Sequence, residues 1–294
     1  MKLDGSRESD NVEDRRGDGG GGSGGSLFGG RSIGIGTIVI ALVGGWIFGV
    51  NPLTILGMLG GDGGSASTPQ VQSAPSQETR ADDPMKRFVK QILGSTEDVW
   101  TDLFAKSNAT YQKPKLDIYR GSYPTACGQG QTAMGPFYCP GDQKVYIDLA
   151  FYETLKNKLG APGEFAEAYV VAHEVGHLVQ NLMGITSKVD AMRQRVSAAE
   201  YNALSVRVEL QADCFAGIWG HYSRDRLKVD QSDIDSAMNA AAKIGDDALQ
   251  RAATGHVVPE SFTHGTSAQR QRWFDTGFQS GNVKSCDTFA GGAL

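Results

Sequence analysis

The stretch Phe165-Ala-Glu-Ala-Tyr-Val-Val-Ala-His-Glu-Val-Gly-His-Leu-Val-Gln-Asn-Leu-Met183 decides how the chain is read. Apolar or small residues at 165, 169, 172, 176, 179 and 183 keep the three- and four-residue spacing of a helix with one buried face, and Gly184 supplies a stop. Inside that helix lies His173-Glu174-Val175-Gly176-His177. At about 100° per residue the two histidines stand roughly 40° apart around the axis and one turn apart along it, so both rings can reach one metal ion. Glu174, roughly 60° from His177, can touch a water on that ion without being a ligand. Two surface histidines bracketing an ordinary helical glutamate would spell the same five residues, so the third ligand matters.

That ligand is expected from a second helix, which opens with the capping box Ser197-x-x-Glu200 and runs to about Gly220. Glu209 and Asp213 are four apart and face one way. Leu210, Ala212, Cys214, Phe215, Ile218 and Trp219 surround them with apolar side chains, so these carboxylates need buried partners rather than water. His173, His177 and Glu209 are therefore read as metal ligands, Glu174 as general base, and Asp213 as acceptor from the far nitrogen of a metal-bound histidine. Two imidazoles, one carboxylate and an open position suit Zn2+.

Outward from these helices the pattern implies an α+β domain over 85–294, mainly helical, with a small β-sheet or hairpin. Residues 85–107 read as one or two helices, with Ser95 or Thr96 as a possible N-cap before Val99, Trp100, Leu103 and Phe104. Leu116, Ile118 and Tyr119 read as strand. Phe137-Tyr138, Pro140-Gly141-Asp142 and Val145-Tyr146-Ile147 read as a hairpin. Further helices are expected over about 233–244 and from Thr266-x-x-Gln269 to Gly281.

The first third of the chain has another character. Residues 1–32, mixed in charge and then Gly/Ser-rich, are expected to be disordered and cytoplasmic. Residues 33–50 carry no charge and are long enough for a single transmembrane helix, which could extend to 59. Lys2, Arg7, Arg15, Arg16 and Arg31 precede that run and no basic residue follows it until Arg80, which puts the C-terminal domain in the periplasm or exterior. Residues 62–84 read as a flexible linker.

Net charge is -5 with both signs scattered, which argues against a nucleic-acid partner. Cys127, Cys139, Cys214 and Cys286 form no close Cys-x-x-Cys pair, so an even count points to disulfides in an oxidising compartment.

The segments Arg7 to Arg16, Met134 to Pro140, Val145 to Asp148, His173 to His177, Glu209 to Gly217 and Ser261 to Thr266 together resemble the YpfJ-type family of bacterial neutral zinc metallopeptidases, related to the gluzincins. The resemblance implies a gluzincin-like site with His173, His177 and Glu209 as ligands and Glu174 as base, and disulfides Cys127–Cys139 and Cys214–Cys286. It also implies that an extended polypeptide substrate would pair with an edge strand, for which 135–148 is the β-like region available. His264 resembles the histidine of a similar turn in HtpX-type membrane proteases, where it could stabilise an oxyanion; an ordinary turn histidine is the competing reading. Arg270 reads as part of a solvated helix face in preference to a partner of the site carboxylates. The expected function is a membrane-anchored zinc endopeptidase, with a non-catalytic peptide-binding scaffold or a cell-wall amidase as rivals.

Overall fold

The computed structural model describes residues 1–18, 83–131, 135–291 and 294. The run at 33–50 and nearly all of the 62–84 segment lie outside them. Among the described residues no helix is long and apolar enough to cross a membrane.

The fold is α+β. Strands β1 (Val12–Asp14), β2 (Lys115–Tyr119), β5 (Phe137–Cys139) and β6 (Lys144–Asp148) form one sheet in the order β1-β2-β6-β5, while β3 (Ser122–Thr125) and β4 (Gly128–Gln131) form a separate hairpin. The hairpin read at Phe137 to Ile147 is present as β5–β6, antiparallel with Phe137 opposite Tyr146. β2 pairs parallel to β6 on one side and to β1 on the other, with Leu116 opposite Val12.

The helices are α1 (Pro84–Lys106), α2 (Ala150–Asn157), α3 (Glu164–Leu182), α4 (Ile185–Asp190), α5 (Ala198–Ser223), α6 (Gln231–Lys243), α7 (Asp246–Thr254) and α8 (Ser267–Ser280). The expected capping boxes are made at Ser197 with Glu200 and at Thr266 with Gln269. α1 corrects the N-cap expectation. It is one helix that starts at Asp83, whose carboxylate accepts from Met85 and Lys86 N–H, with Pro84 in the first turn. Ser95 and Thr96 sit inside it, where Ser95 meets the Trp219 indole N–H at 3.0 Å and Thr96 returns a bond to the Leu93 carbonyl. Pro84, expected as the last linker residue, is instead the first residue of this helix, and Asp83 is its cap.

The N-terminal expectation is also corrected. Residues 1–18 are not disordered: they supply β1, and Met1, Leu3 and Val12 pack on the main core. Composition misleads here because the segment needs little apolar surface of its own; it borrows the faces of β2 and α1.

α3 is the central helix, buried on nearly every side against α1, α5 and α6. Two close helix contacts set the site. A Cβ at Gly176 would lie 3.0 Å from the Ala212 carbonyl oxygen, so glycine lets α3 approach the middle of α5. A Cβ at Gly277 would lie 1.9 Å from the Cys214 carbonyl oxygen and one at Gly217 2.1 Å from that of Phe274, so α8 crosses α5 backbone to backbone. The disulfides Cys127–Cys139 and Cys214–Cys286 tie the β3–β4 hairpin to β5 and the chain end to α5.

Candidate metal centre

The close approach of α3 to α5 brings both rings of α3 to Glu209 of α5, and His173 to Asp213 as well. His173 Nε2 lies 3.2 Å from Glu209 Oε2, and His177 Nε2 lies 3.5 Å from Glu209 Oε1. Donor atoms of His173, His177 and Glu209 all fall within 4.8 Å of one another. Ligands about 2.0–2.2 Å from one tetrahedral zinc ion should stand roughly 3.3–3.6 Å apart, so the donor set has the right types and nearly the right spacing.

The far nitrogens of both rings are held. His173 Nδ1 is 2.8 Å from Asp213 Oδ1, and His177 Nδ1 is 2.9 Å from Gln180 Oε1. Each bond fixes its ring so that Nε2 faces the shared point. Gln180 is itself anchored, its amide donating to the Val208 carbonyl at 2.6 Å and to Gln211 Oε1 at 3.1 Å. Gln211 in turn donates to the Cys286 carbonyl at 2.9 Å.

Asp213 is fully buried and has four donors around it. Besides His173, Arg270 Nε reaches Oδ2 and Arg270 Nη2 reaches Oδ1, both at 2.9 Å, and the Tyr169 hydroxyl donates to Oδ1 at 2.5 Å. This overturns the solvated reading of Arg270. The backbone crossing of α8 over α5 carries the guanidinium inward, where it is 3 % exposed, and a buried cation there requires the anion it finds. Burial works against ionisation of Asp213, but the Arg270 and His173 charges outweigh it and hold the carboxyl down to about 2. Burial likewise opposes a charged His173, yet Asp213 and Glu209 raise it to about 10.

Glu174 is buried beside the same rings. Burial raises its pKa, an effect tempered by His177 and His173 and by a hydrogen bond from the Tyr138 backbone N–H. Tyr138 belongs to β5, one of the two edge strands of the sheet among the described residues, and its hydroxyl accepts from Asn181 Nδ2 at 3.2 Å on α3. A carboxyl raised toward neutrality can both take and return a proton.

His264 lies in the turn before α8, with Nδ1 3.2 Å from Asp246 Oδ1 and 3.0 Å from Thr263 Oγ1. Asp246 also collects the backbone N–H groups of Thr263, His264 and Gly265 at 2.8, 2.6 and 3.0 Å, which fixes the turn. Burial opposes a charged His264, but Glu209 and Asp246 more than offset it and raise its pKa above 6.5.

The residues missed from sequence were Tyr138, Tyr169, Gln180 and Asp246. Gln180 carried a usable signal, standing three positions after His177 on the same helical face. The others reach the site only through tertiary packing. His221 hydrogen-bonds the Phe278 carbonyl at 2.7 Å and packs under Gly281, a structural position away from this cluster.

A protein of Escherichia coli strain K12 named Uncharacterized protein YpfJ is 50% identical over 293 residues, covering 98% of this chain and 99% of its own length. One of Mycobacterium tuberculosis strain H37Rv, Uncharacterized protein Rv2575, is 39% identical over 211 residues, covering 68% of this chain and 69% of its own. No solved structure matches the chain. The family model described as "Putative neutral zinc metallopeptidase" matches residues 1–289, from the N-terminal strand through the histidine pair to the last disulfide, and the chain belongs to that family.

Proposed function

We propose that the chain is a zinc-dependent endopeptidase that cleaves extended or unfolded polypeptides. The observation that carries this reading is the convergence of His173, His177 and Glu209 from two helices with a buried, proton-accepting Glu174 against the same rings. Zinc bound there would acidify its water and polarise a peptide carbonyl. Glu174 takes the water proton and delivers it to the leaving amine, its raised pKa suiting both halves of the task. Asp213 and Gln180 keep the two rings aimed. His264, held by Asp246, would offer a ring N–H to an oxyanion developing beside the site.

The edge strand β5 supports the choice of substrate. It pairs with β6 on one side only, among the described residues, and its Tyr138 N–H reaches Glu174, so a chain laid along the other edge would pass the base. The apolar run at 33–50 supports a membrane tether, and the two disulfides support an oxidising compartment such as the periplasm or exterior.

Glu174→Gln in the full chain tests the reaction. Casein hydrolysis should fall about 10²–10⁴-fold while zinc content stays that of the wild type. Full activity in this variant would remove the proposed mechanism. An inactive wild type that still binds unfolded polypeptide would favour a scaffold, and turnover of muropeptides but not casein a cell-wall amidase.

A further inference from the structure

The N-terminal segment and the domain that follows residue 83 are one folded unit. Glu97, in the middle of α1 and only 1 % exposed, takes its hydrogen bonds from that segment: Arg7 Nη2 at 2.7 Å, Ser9 Oγ at 2.6 Å and Asn11 Nδ2 at 2.7 Å. Arg7 also donates to the Gly94 carbonyl at 2.8 Å, and a Cβ at Gly94 would lie 2.6 Å from the Arg7 carbonyl oxygen, so this turn of α1 is shaped to the segment. Among the described residues β1 is the only neighbour of β2 on that side. The Leu116 N–H donates to the Asn11 carbonyl at 2.9 Å and the Arg15 N–H to the Ile118 carbonyl at 2.7 Å, beside side chains of Leu116 and Ile118 that are completely buried. Beyond β1, Arg16 grips Asp14 and the helix cap Asp83, each at 2.6 Å.

A single membrane crossing between residues 18 and 83 cannot coexist with these contacts. It would put Glu97 and its donors on opposite sides of a bilayer whose apolar core is about 30 Å thick. Docking the segment of a second copy does not help, because that copy's segment would lie on the far side too. Undocking would strip Glu97 of its three hydrogen-bond donors, leaving it the Lys113 ammonium at 4.0 Å, and would leave one edge of β2 unpaired.

We infer that residues 1–18 and the domain that follows residue 83 occupy the same side of the membrane. This replaces the expectation of a cytoplasmic N-terminus with an external domain, and it is independent of what the metal centre cleaves.

Asp10 and Asp225 are exposed, one in each part, and the four native cysteines are paired. The test expresses full-length Asp10→Cys and Asp225→Cys separately and treats spheroplasts with a membrane-impermeant maleimide. Labelling after lysis gives the reference for each variant, and the wild type gives the background. The two cysteines should behave alike, either both reacting in intact spheroplasts to at least half of the lysed value or both reacting only after lysis. One reacting in intact spheroplasts and the other only after lysis would overturn the inference.

Discussion

Two buried carboxylates, Asp213 on α5 and Glu97 on α1, solve the same problem with different reach. Each is an anion inside the protein and each is satisfied by several donors, because an unpaired charge there would be strongly unfavourable. Asp213 is served by Tyr169, His173 and Arg270, all from helices packed at the metal centre. Glu97 is served by Arg7, Ser9 and Asn11, which come from the other end of the chain. The first carboxylate orients His173, a candidate metal ligand; the second fastens an N-terminal strand to the sheet. Their environments differ in a testable way, since Arg270 is 3 % exposed at its side chain whereas that of Arg7 is 42 % exposed.

The largest effect should follow loss of Asp213. Asp213→Ala leaves the Arg270 guanidinium buried without its anion and should cost about 3–5 kcal/mol in denaturant unfolding. Glu97→Ala should cost less, about 1–3 kcal/mol, because Arg7 can turn to water and Asp98 remains beside it. Equal losses at the two positions would dissolve the contrast. Asp213→Asn keeps the shape but weakens the acceptor for His173, and zinc affinity measured by chelator competition should fall about 10–100-fold. Gln180→Ala removes the neutral counterpart behind His177 and should sit near the lower end of that range, while Glu97→Ala should leave zinc affinity unchanged.

The smallest expected effect concerns pH. His264 is raised above its ordinary 6.5 by Glu209 and Asp246 against the opposing effect of burial, and Asp246 is lowered below 3.8 because His264 and the turn N–H groups outweigh its own burial. The stabilisation from His264 is complete below 6.5 and is lost as pH rises through its raised pKa; that from Asp246 is present above 3.8 and is lost as pH falls through its lowered one. Asp246→Asn should move the His264 titration back toward lower pH, read by the NMR shift of its ring proton. An unmoved titration would separate the two residues.

The candidate metal site is legible in sequence because helical periodicity is local. His173 and His177 are one turn apart, Glu209 and Asp213 are one turn apart, and apolar neighbours point to a buried Asp213 and a half-buried Glu209. Arg270 was not legible, since its inward position depends on Gly217 and Gly277 letting two backbones touch, and small residues in a sequence do not name their partner. The N-terminal segment was misread for a related reason. Charged and polar residues in 1–18 look soluble and unstructured until Glu97 and the open side of β2 are placed beside them, some 80 to 100 residues further along. The β5–β6 hairpin was legible from its turn residues, but the parallel pairing of β2 with β6 and β1 leaves no turn to signal it.

The central claim is that α3 and α5 together hold one zinc ion through His173, His177 and Glu209. Metal analysis of the purified full chain, beside Glu209→Ala, tests it most directly. One zinc per chain in the wild type, with little retained by the variant after dialysis, is the predicted result; a variant that keeps stoichiometric zinc at wild-type affinity would contradict it.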